Sequence, residues 1–569
     1  MSDQDLFHQH FESFNVFANP WDDRKRFHQA GLYCLEAYNS LLPRLAGYLN
    51  HSFRTDWTDR YWKILIGPWL MHYIDLLYDS YVLSREIIEG KYLGGIKIPD
   101  EAFVRVPNSY EQLIHVTMSH GSKYYQIYLI SQLLSVMEPD FPGFGNRKGE
   151  KKQEPVRRYF TGNIREKTKD LIHWATHLRA PQITMQGQLN PGAFYRMSKA
   201  GRKRYGRFYL EFPDKVIPPR EPDSSIRLGL GDLTPPDEFE SLLFKTLPNN
   251  FPSLYLEGYA RARNHITRTM GMRFPETICS IGGLYGREAG KFFTAEATAQ
   301  GTFLVNAQHG GGYGVFLLHE LELHERSTAD IFGCWGWAGV EQDPALINMP
   351  SVKLSQTAET RTPYQGAANR ILMVGMLHPK HLFRFQNCPV GSQWLEYFED
   401  AFSFFDALGQ PLFESLVYRR YMSDFGWNMS DRFTFRFPSL RFDNMKESFQ
   451  VAMHHARLLI FDNNATTYLE ALSANVPTII FFRPNRWEIR HNAQPFFDAL
   501  KKAGILFETP QSAADQVRSV YPDIQRWWQS DPVQEARTFF IKHLALSSLS
   551  WTQDWANVLE SGALPAGNA

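Results

Sequence analysis

Residues 458–482 read LLIFDNNATTYLEALSANVPTIIFF, and the fold is decided there. Leu458 to Phe461 is a continuous apolar run, the pattern of a parallel strand buried on both faces. Asp462, Asn463 and Asn464 break the run. Residues 466–474 carry the spacing of a short amphipathic helix, Asn475 ends it, and residues 476–482 form the next strand. Strand–loop–helix–strand is the unit of a doubly wound parallel sheet, whose ligands sit at the carboxyl ends of strands. The 462–467 loop falls at such an end. A helix start there offers unpaired N–H groups and the positive end of a dipole, with hydroxyls from Thr466 and Thr467. Asn463, Asn464, Thr466 and Thr467 are therefore candidate phosphate ligands, and Glu470, one turn further in, is placed to accept from ribose hydroxyls. An ordinary cap, with Asn464 as N-cap and Glu470 in a capping arrangement, accounts for the same residues.

Working outward, residues 371–376 read as a strand, 391–408 as a helix, 412–418 and 433–437 as further strands, and 444–456 as a helix. Upstream, residues 274–337 show a second βαβ series: a strand at 302–307, a helix at 315–326 and a strand at 330–337. The polar stretch 355–368 reads as a linker and hinge between the two series. Residues 57–89 and 111–137 have helical periodicity, and 527–559 reads as helical, able to pack back across both domains. The expected architecture is α/β, with two facing Rossmann-type doubly wound domains and a helical N-terminal extension. The segments are 1–135 (helical), 136–355 (acceptor-side α/β domain), 366–545 (nucleotide-binding α/β domain) and 546–569 (C-terminal helix and tail).

The length of 569 residues fits two or three domains, and 43% hydrophobic with 21% charged residues fits a globular protein. Sixty basic and 60 acidic residues cancel, so no nucleic-acid partner is expected. The basic stretch 196–207, RMSKAGRKRYGR, reads either as a solvated loop or as a cradle for a phosphorylated or lipid-linked acceptor, with peripheral contact to the inner membrane. Four scattered cysteines without a CxxC pair fit reduced thiols. The opening MSDQDLFHQHFESF has no basic-then-apolar signal, and no apolar run is long enough to span a bilayer, so a cytoplasmic protein is expected.

The second candidate site is QHGGGYG at 308–314, directly after the 302–307 strand. His309 stands at a strand's carboxyl end, where an imidazole can act as general base, and Gly310, Gly311 and Gly312 let a backbone or ligand come close. Tyr313 completes this acceptor loop. Glu288, at the start of the preceding helix, is a second acid–base candidate; Glu320, Glu322 and Glu325 read as surface charge. Residues 280–286, SIGGLYG, could frame the acceptor. His378, Lys380, His381 and Arg384 form a cationic cluster after the first strand of the C-terminal series, suited to a donor phosphate or a sugar carboxylate, and Trp487, Glu488, Arg490 and His491 could line the same cleft. The chain has no GxxxxGK[ST], no GxGxxG after the first strand of either series, no HExxH and no GxSxG. No DxD-like carboxylate pair is seen, so neither a metal nor a cofactor is implied.

QHGGGYG followed by ADIFGCWGW, together with FDNNATTYLEALSANVPTIIFFRPNRWE and WKILIGPWLMHYIDLLYDSY, resembles a bacterial transferase family of surface-carbohydrate gene clusters. More distantly the chain is similar to GT-B enzymes with cytidine-nucleotide donors, the Kdo and nonulosonate transferases and the CDP-glycerol glycerophosphotransferases. That resemblance implies a nucleotide-sugar donor gripped by the C-terminal domain and a glycan or lipid-linked acceptor entering from the N-terminal side. His309–Gly310 and residues 464–467 occupy the places of the group's His-Gly loop and Ser/Thr-bearing loop. Asn463–Asn464 replaces the Ser-rich loop usual in glycerophosphotransferases. Polyol-phosphate transfer and a catalytically silent glycan-assembly role are the two alternatives.

Overall fold

The computed structural model describes residues 19–90, 107–118, 122–139, 181–213, 216, 223–231, 237–270, 273–341, 343–359 and 370–561. The expected loop at 139–155 lies almost wholly outside these residues, as does most of the expected hinge; residues 355–359 of it belong to a helix, Val352–Glu359.

Two six-stranded parallel sheets form the body of the molecule. The N-terminal sheet holds β1 (Ile183–Gly187), β2 (Tyr205–Arg207), β3 (Thr277–Ile281), β4 (Phe303–Ala307), β5 (Ile331–Cys334) and β6 (Leu346–Asn348), in the order β2-β1-β3-β4-β5-β6. The C-terminal sheet holds β7 (Ile371–Val374), β8 (Leu416–Arg419), β9 (Arg441–Phe442), β10 (Leu458–Phe461), β11 (Thr478–Phe481) and β12 (Leu506–Phe507), in the order β12-β11-β10-β7-β8-β9. The chain reverses its direction of travel across the first sheet between β1 and β3, and across the second between β7 and β10. Such switch points open a crevice at the strands' carboxyl ends because the flanking loops diverge. The architecture is thus α/β with two doubly wound domains, GT-B-like as expected.

β10 sits at the centre of its sheet, with Leu458 opposite Ile371 of β7 and Leu459 opposite Thr478 of β11. All four of its side chains are fully buried, as the LLIF run requires. Asn475 adopts φ +56°, the left-handed conformation that stops the helix Thr467–Ser473. The N–H groups of Asn475 and Val476 then bond back to Leu472 and Ala471, a Schellman close, and the chain enters β11.

The N-terminal helices are not a detached module. Arg24–Phe53 and Asp59–Glu89 share one hydrophobic core with the helices Glu238–Asn250, Tyr259–Met270 and Glu288–Ala299, which cover a face of the N-terminal sheet. They also reach the C-terminal domain: Arg24 forms a two-bond fork with Glu488 at 2.6 and 2.8 Å, and the Phe385 N–H donates to Asp75. At the chain's other end, Asp531–Leu544 packs on the C-terminal domain, whereas Trp551–Ser561 inserts Trp551, Trp555 and Leu559 beside β1 and β3. A buried ring of this size removes roughly 150–250 Å² from water, about 4–6 kcal/mol of transfer free energy. The tail is thereby fastened to the N-terminal domain.

Two element assignments are corrected. Residues 433–436 belong to a helix, Met429–Arg436, with Phe437 as its C-cap, because the Asp424 carboxylate accepts the N–H groups of Asn428 and Met429 and caps its start. The helix expected at 315–326 begins only at Glu320 and runs to Thr328; residues 315–317 pair instead with residues 488–490 of the other domain, through a Phe316–Ile489 antiparallel bridge. Among the described residues no helix is long and apolar enough to cross a membrane. The basic stretch ends the helix Pro191–Ala200, turns through residues 201–204 and enters β2, so only its middle is loop, and several of its charges are engaged. Arg196 pairs with Glu359, Lys203 with Glu276, and Arg207 donates to the Leu189 carbonyl. All four cysteines are buried free thiols.

Candidate active site

The loops after β4 and β10 meet. The Gly311 N–H donates to Thr466 Oγ1 at 2.9 Å, joining the two domains at the carboxyl ends of their sheets. The sequence reading expected these loops to face one another across a cleft; here they touch. Glycine is the reason: a Cβ on Gly311 would stand 2.9 Å from the Ala465 carbonyl oxygen and 3.1 Å from Thr466 Cα. Gln308 holds the rest of the loop in shape, accepting from the Trp335 N–H and Trp337 Nε1 and donating to the Gly310 carbonyl. His309, Gly310, Ala465, Thr466 and Thr467 remain partly open at this junction.

His309 has a defined supporting network. Its Nε2 lies 2.6 Å from the Tyr313 hydroxyl and 3.3 Å from Glu325 Oε1, while Tyr313 donates its proton to Glu325 Oε2 at 2.8 Å. Since the Tyr313 proton is used on Glu325, the phenol oxygen must accept from His309, which assigns the proton to Nε2 and leaves a lone pair on Nδ1. Burial, followed by the neighbouring Glu325 charge, raises the Tyr313 phenol far above its ordinary range, so it stays neutral. A histidine held in one tautomer by a buried carboxylate is the arrangement of an oriented general base.

Glu325, Glu320 and Glu322 depart from the sequence expectation of surface charge. All three are buried. Glu322, with no exposure, takes Arg490 through two bonds at 2.8 and 2.9 Å, Arg326 at 3.1 Å and the Gly314 N–H. Glu341 and Asp343 complete this ionic cluster between the domains. Burial, and then the Asp75 charge, raises the Glu320 carboxyl well above its ordinary range. The spacing 320, 322, 325 spreads carboxylates around a helix, so a helix packed on the body of the protein cannot hold all three in solvent; that signal was present in the sequence.

Glu288 is placed apart from this network. It is buried, takes Lys291 at 2.9 Å and the Tyr255 hydroxyl at 2.7 Å, and accepts the Glu111 N–H. The 280–286 turn does reach the site, since a Cβ on Gly282 would stand 3.0 Å from the His309 ring.

On the C-terminal side, Asn463 accepts the Ala465 N–H and donates to the Val374 carbonyl, tying β10 to β7 at the switch point. Asn464 caps nothing: its side-chain atoms are buried with no hydrogen-bond partner among the described residues, and the helix Thr467–Ser473 starts at Thr466 without a side-chain cap. Asp462 accepts the Tyr397 hydroxyl, and burial lifts its carboxyl to about 7. Glu470 is buried, accepts from Gln450 Nε2 at 2.6 Å, and meets Lys353 of the helix Val352–Glu359 at 2.6 Å in an ionic contact rather than an aligned hydrogen bond. Lys380 lies over the Trp427 ring at 5.5 Å, and the His378 carbonyl accepts Trp427 Nε1. Trp487 is buried, and Glu488 and Arg490 are taken by Arg24 and Glu322 in the domain contacts above. Among the described residues no group of three or more His, Cys, Asp and Glu is placed to hold a metal.

Residues 2–559 match the model of the LIC12162 family transferase. The chain belongs to that family. It is therefore a transferase, and the junction just described is its candidate active site. Solved structures similar to it include Acinetobacter baumannii MurG, at 12% identity over 67% of this chain and 98% of that one, TM-score 0.34. Others are Anabaena HepE in complex with UDP and glucose (12%, 67% and 100%, TM-score 0.37) and a variant of the wall teichoic acid polymerase TagF (9%, 70% and 96%, TM-score 0.36). A search of curated proteins finds no match.

Proposed function

We propose that this transferase moves a sugar from a nucleotide-activated donor, with a cytidine nucleotide favoured and a Kdo- or nonulosonate-like sugar, to a surface-glycan or lipid-linked acceptor. The observation that carries the reading is the Gly311–Thr466 contact, because it brings an oriented histidine from one switch-point sheet against the open strand end of the other. Glu470 takes the ribose, with Lys353 giving way to its hydroxyls. Thr467, the uncapped helix start, Asn464, His378 and Lys380 hold the donor phosphate, and Asn463 keeps the loop in shape. The acceptor hydroxyl gives its proton to His309 Nδ1 as its oxygen bonds the anomeric carbon. The bond from that carbon to the phosphate breaks, and the charge leaves with the phosphate. Holding both substrates supplies orientation, and stabilising the departing phosphate supplies the electrostatic part. Glu288, held by Lys291 and Tyr255 apart from His309, is assigned no share in proton transfer.

The test is product analysis by mass spectrometry after incubation with a nucleotide-sugar panel and envelope glycan extract. A new glycosidic bond, lost by about 10²–10⁴ in rate in His309→Ala, is the expected outcome. A phosphodiester product would replace the reading with polyol-phosphate transfer. Nucleotide binding without transfer to any acceptor would point to the assembly role.

A further inference from the structure

The long helix Asp59–Glu89 is buried on nearly all sides, yet it carries His72 to a place where hydrophobic packing alone does not explain it. His72 is 4% exposed, and neither ring nitrogen has a hydrogen-bond partner among the described residues. Buried polar atoms are nearly always paired, so two bare nitrogens on one ring point to a missing partner. The ring stands edge-on to Phe383 at 4.3 Å and to Tyr110 at 5.8 Å. Next along from Phe383 is Arg384, whose guanidinium lies 5.3 Å from the Phe383 ring centre. Arg384 forms no ion pair among the described residues, and its Nε is buried without a partner. His378, six residues earlier on the same segment, also has a buried and unpartnered Nε2.

Asp75 accepts the Phe385 N–H at 3.0 Å; burial raises its carboxyl and, with the Asp75 charge beside it, that of Glu320, and neither makes an ion pair with Arg384 among the described residues. Asp79 is occupied by Trp21 and Gln126. Burial, with the Arg384 charge added to it, pushes His72 and His378 down to about 3, so both are neutral rings that can donate one hydrogen bond each. The Arg384 charge is felt on every side of the junction: at His72 and Asp75 of the N-terminal helix, at Tyr285 and His319 of the N-terminal α/β domain, and at His378 and Tyr421 of the C-terminal one.

We propose that Arg384, His72 and His378 form a subsite for an oxyanion, a carboxylate or phosphate carried by a substrate, at the junction of the N-terminal helices with both α/β domains. Arg384 supplies the charge and the forked donors, and the two histidines supply neutral N–H groups. The N-terminal helical region then contributes a wall of the substrate cleft rather than an attachment to it. The assignment rests on the reading of this cleft as the transferase site, but its anion chemistry is measurable without a donor.

The experiment titrates inorganic phosphate and acetate by calorimetry at low ionic strength into the full chain, the Arg384→Met and Arg384→Lys variants, and His72→Phe, each checked for a wild-type-like melting profile. Saturable binding of one of these anions is expected, weakened at least about tenfold in Arg384→Met, partly kept in Arg384→Lys and weakened in His72→Phe. No saturable anion binding by the wild type, or equal affinity in Arg384→Met, overturns the subsite. CMP and CMP-N-acetylneuraminate are then titrated as paired probes. A loss in Arg384→Met for both assigns the oxyanion to the nucleotide phosphate, a loss for the second alone assigns it to the sugar carboxylate, and Arg384-dependent phosphate binding without either assigns it to the acceptor. If neither nucleotide binds while phosphate does, the subsite stands and the nucleotide-donor reading falls.

Discussion

Replacing Gly311 with Ala is the sharpest perturbation of the domain junction. The added methyl would stand 2.9 Å from the Ala465 carbonyl oxygen, 3.1 Å from Leu469 Cδ1 and 3.1 Å from Thr466 Cα, and two of these three neighbours are backbone atoms that cannot rotate away. Overpacking of this kind costs about 1–3 kcal/mol. Moving the loops apart also breaks the Gly311 N–H to Thr466 bond, worth about 1 kcal/mol net. The docking of the two domains should therefore weaken by about 2–4 kcal/mol. Thr466→Val separates the two contributions, since it removes the acceptor while keeping the side chain's volume, and should cost only the hydrogen-bond share. Urea unfolding reads the energy, and small-angle X-ray scattering reads whether the loops have parted. A Gly311→Ala protein with the wild-type unfolding midpoint and scattering profile would refute the claim that these loops touch in solution.

Other predictions concern the buried carboxylates. Glu325→Gln or Tyr313→Phe should lower transfer about 10–100-fold while leaving nucleotide affinity unchanged, because both act on His309 and not on the donor; steady-state kinetics beside calorimetry checks this. Glu322→Ala takes the buried carboxylate from Arg490 and Arg326, leaving them only the Glu341 and Asp343 carboxylates among the described residues, and should destabilise the fold by about 1.5–3 kcal/mol in denaturant unfolding. Burial raises Asp75 from 3.8 to about 6, so the folded state holds its proton more tightly than the unfolded chain does. That contribution to stability is complete below about pH 4 and is lost as the pH rises through about 6. In Asp75→Asn the amide oxygen can still accept the Phe385 N–H, and the difference in unfolding free energy between the two proteins should therefore move against the wild type across this interval. A pH-independent difference would argue that burial does not raise the Asp75 carboxyl.

The chemistry of particular residues explains how much was legible in the sequence. LLIF followed by polar residues, with Asn475 closing the next helix, announces a buried parallel strand and its crossover, and the fold follows from repeating that unit. Residues 433–437 were opaque because Phe433, Phe435 and Phe437 alternate like a strand; the deciding fact is the Asp424 cap, which needs only one residue and no periodicity. In the structure Phe433 is buried, whereas Phe435 is 91% exposed. At the site, His309 and its glycines could be singled out by composition. Glu325 could not be joined to His309, since residues 315–319 between them are irregular and no helical spacing links the pair. The role of the N-terminal helix was hidden for a related reason. His72 lies in a run apolar enough to read as plain core, and its link to Arg384, 312 positions along the chain, runs through the Phe383 ring that both side chains face.

The central claim, that this transferase takes a nucleotide-activated donor at the β7–β10 switch point, is tested most directly by calorimetric titration of CMP, CDP, UDP and GDP into the purified protein and its Glu470→Ala variant. The account predicts saturable binding of at least one nucleotide, a cytidine nucleotide by preference, and a clear loss of that affinity in Glu470→Ala. No binding by any of the four, or binding that Glu470→Ala leaves unchanged, would contradict it.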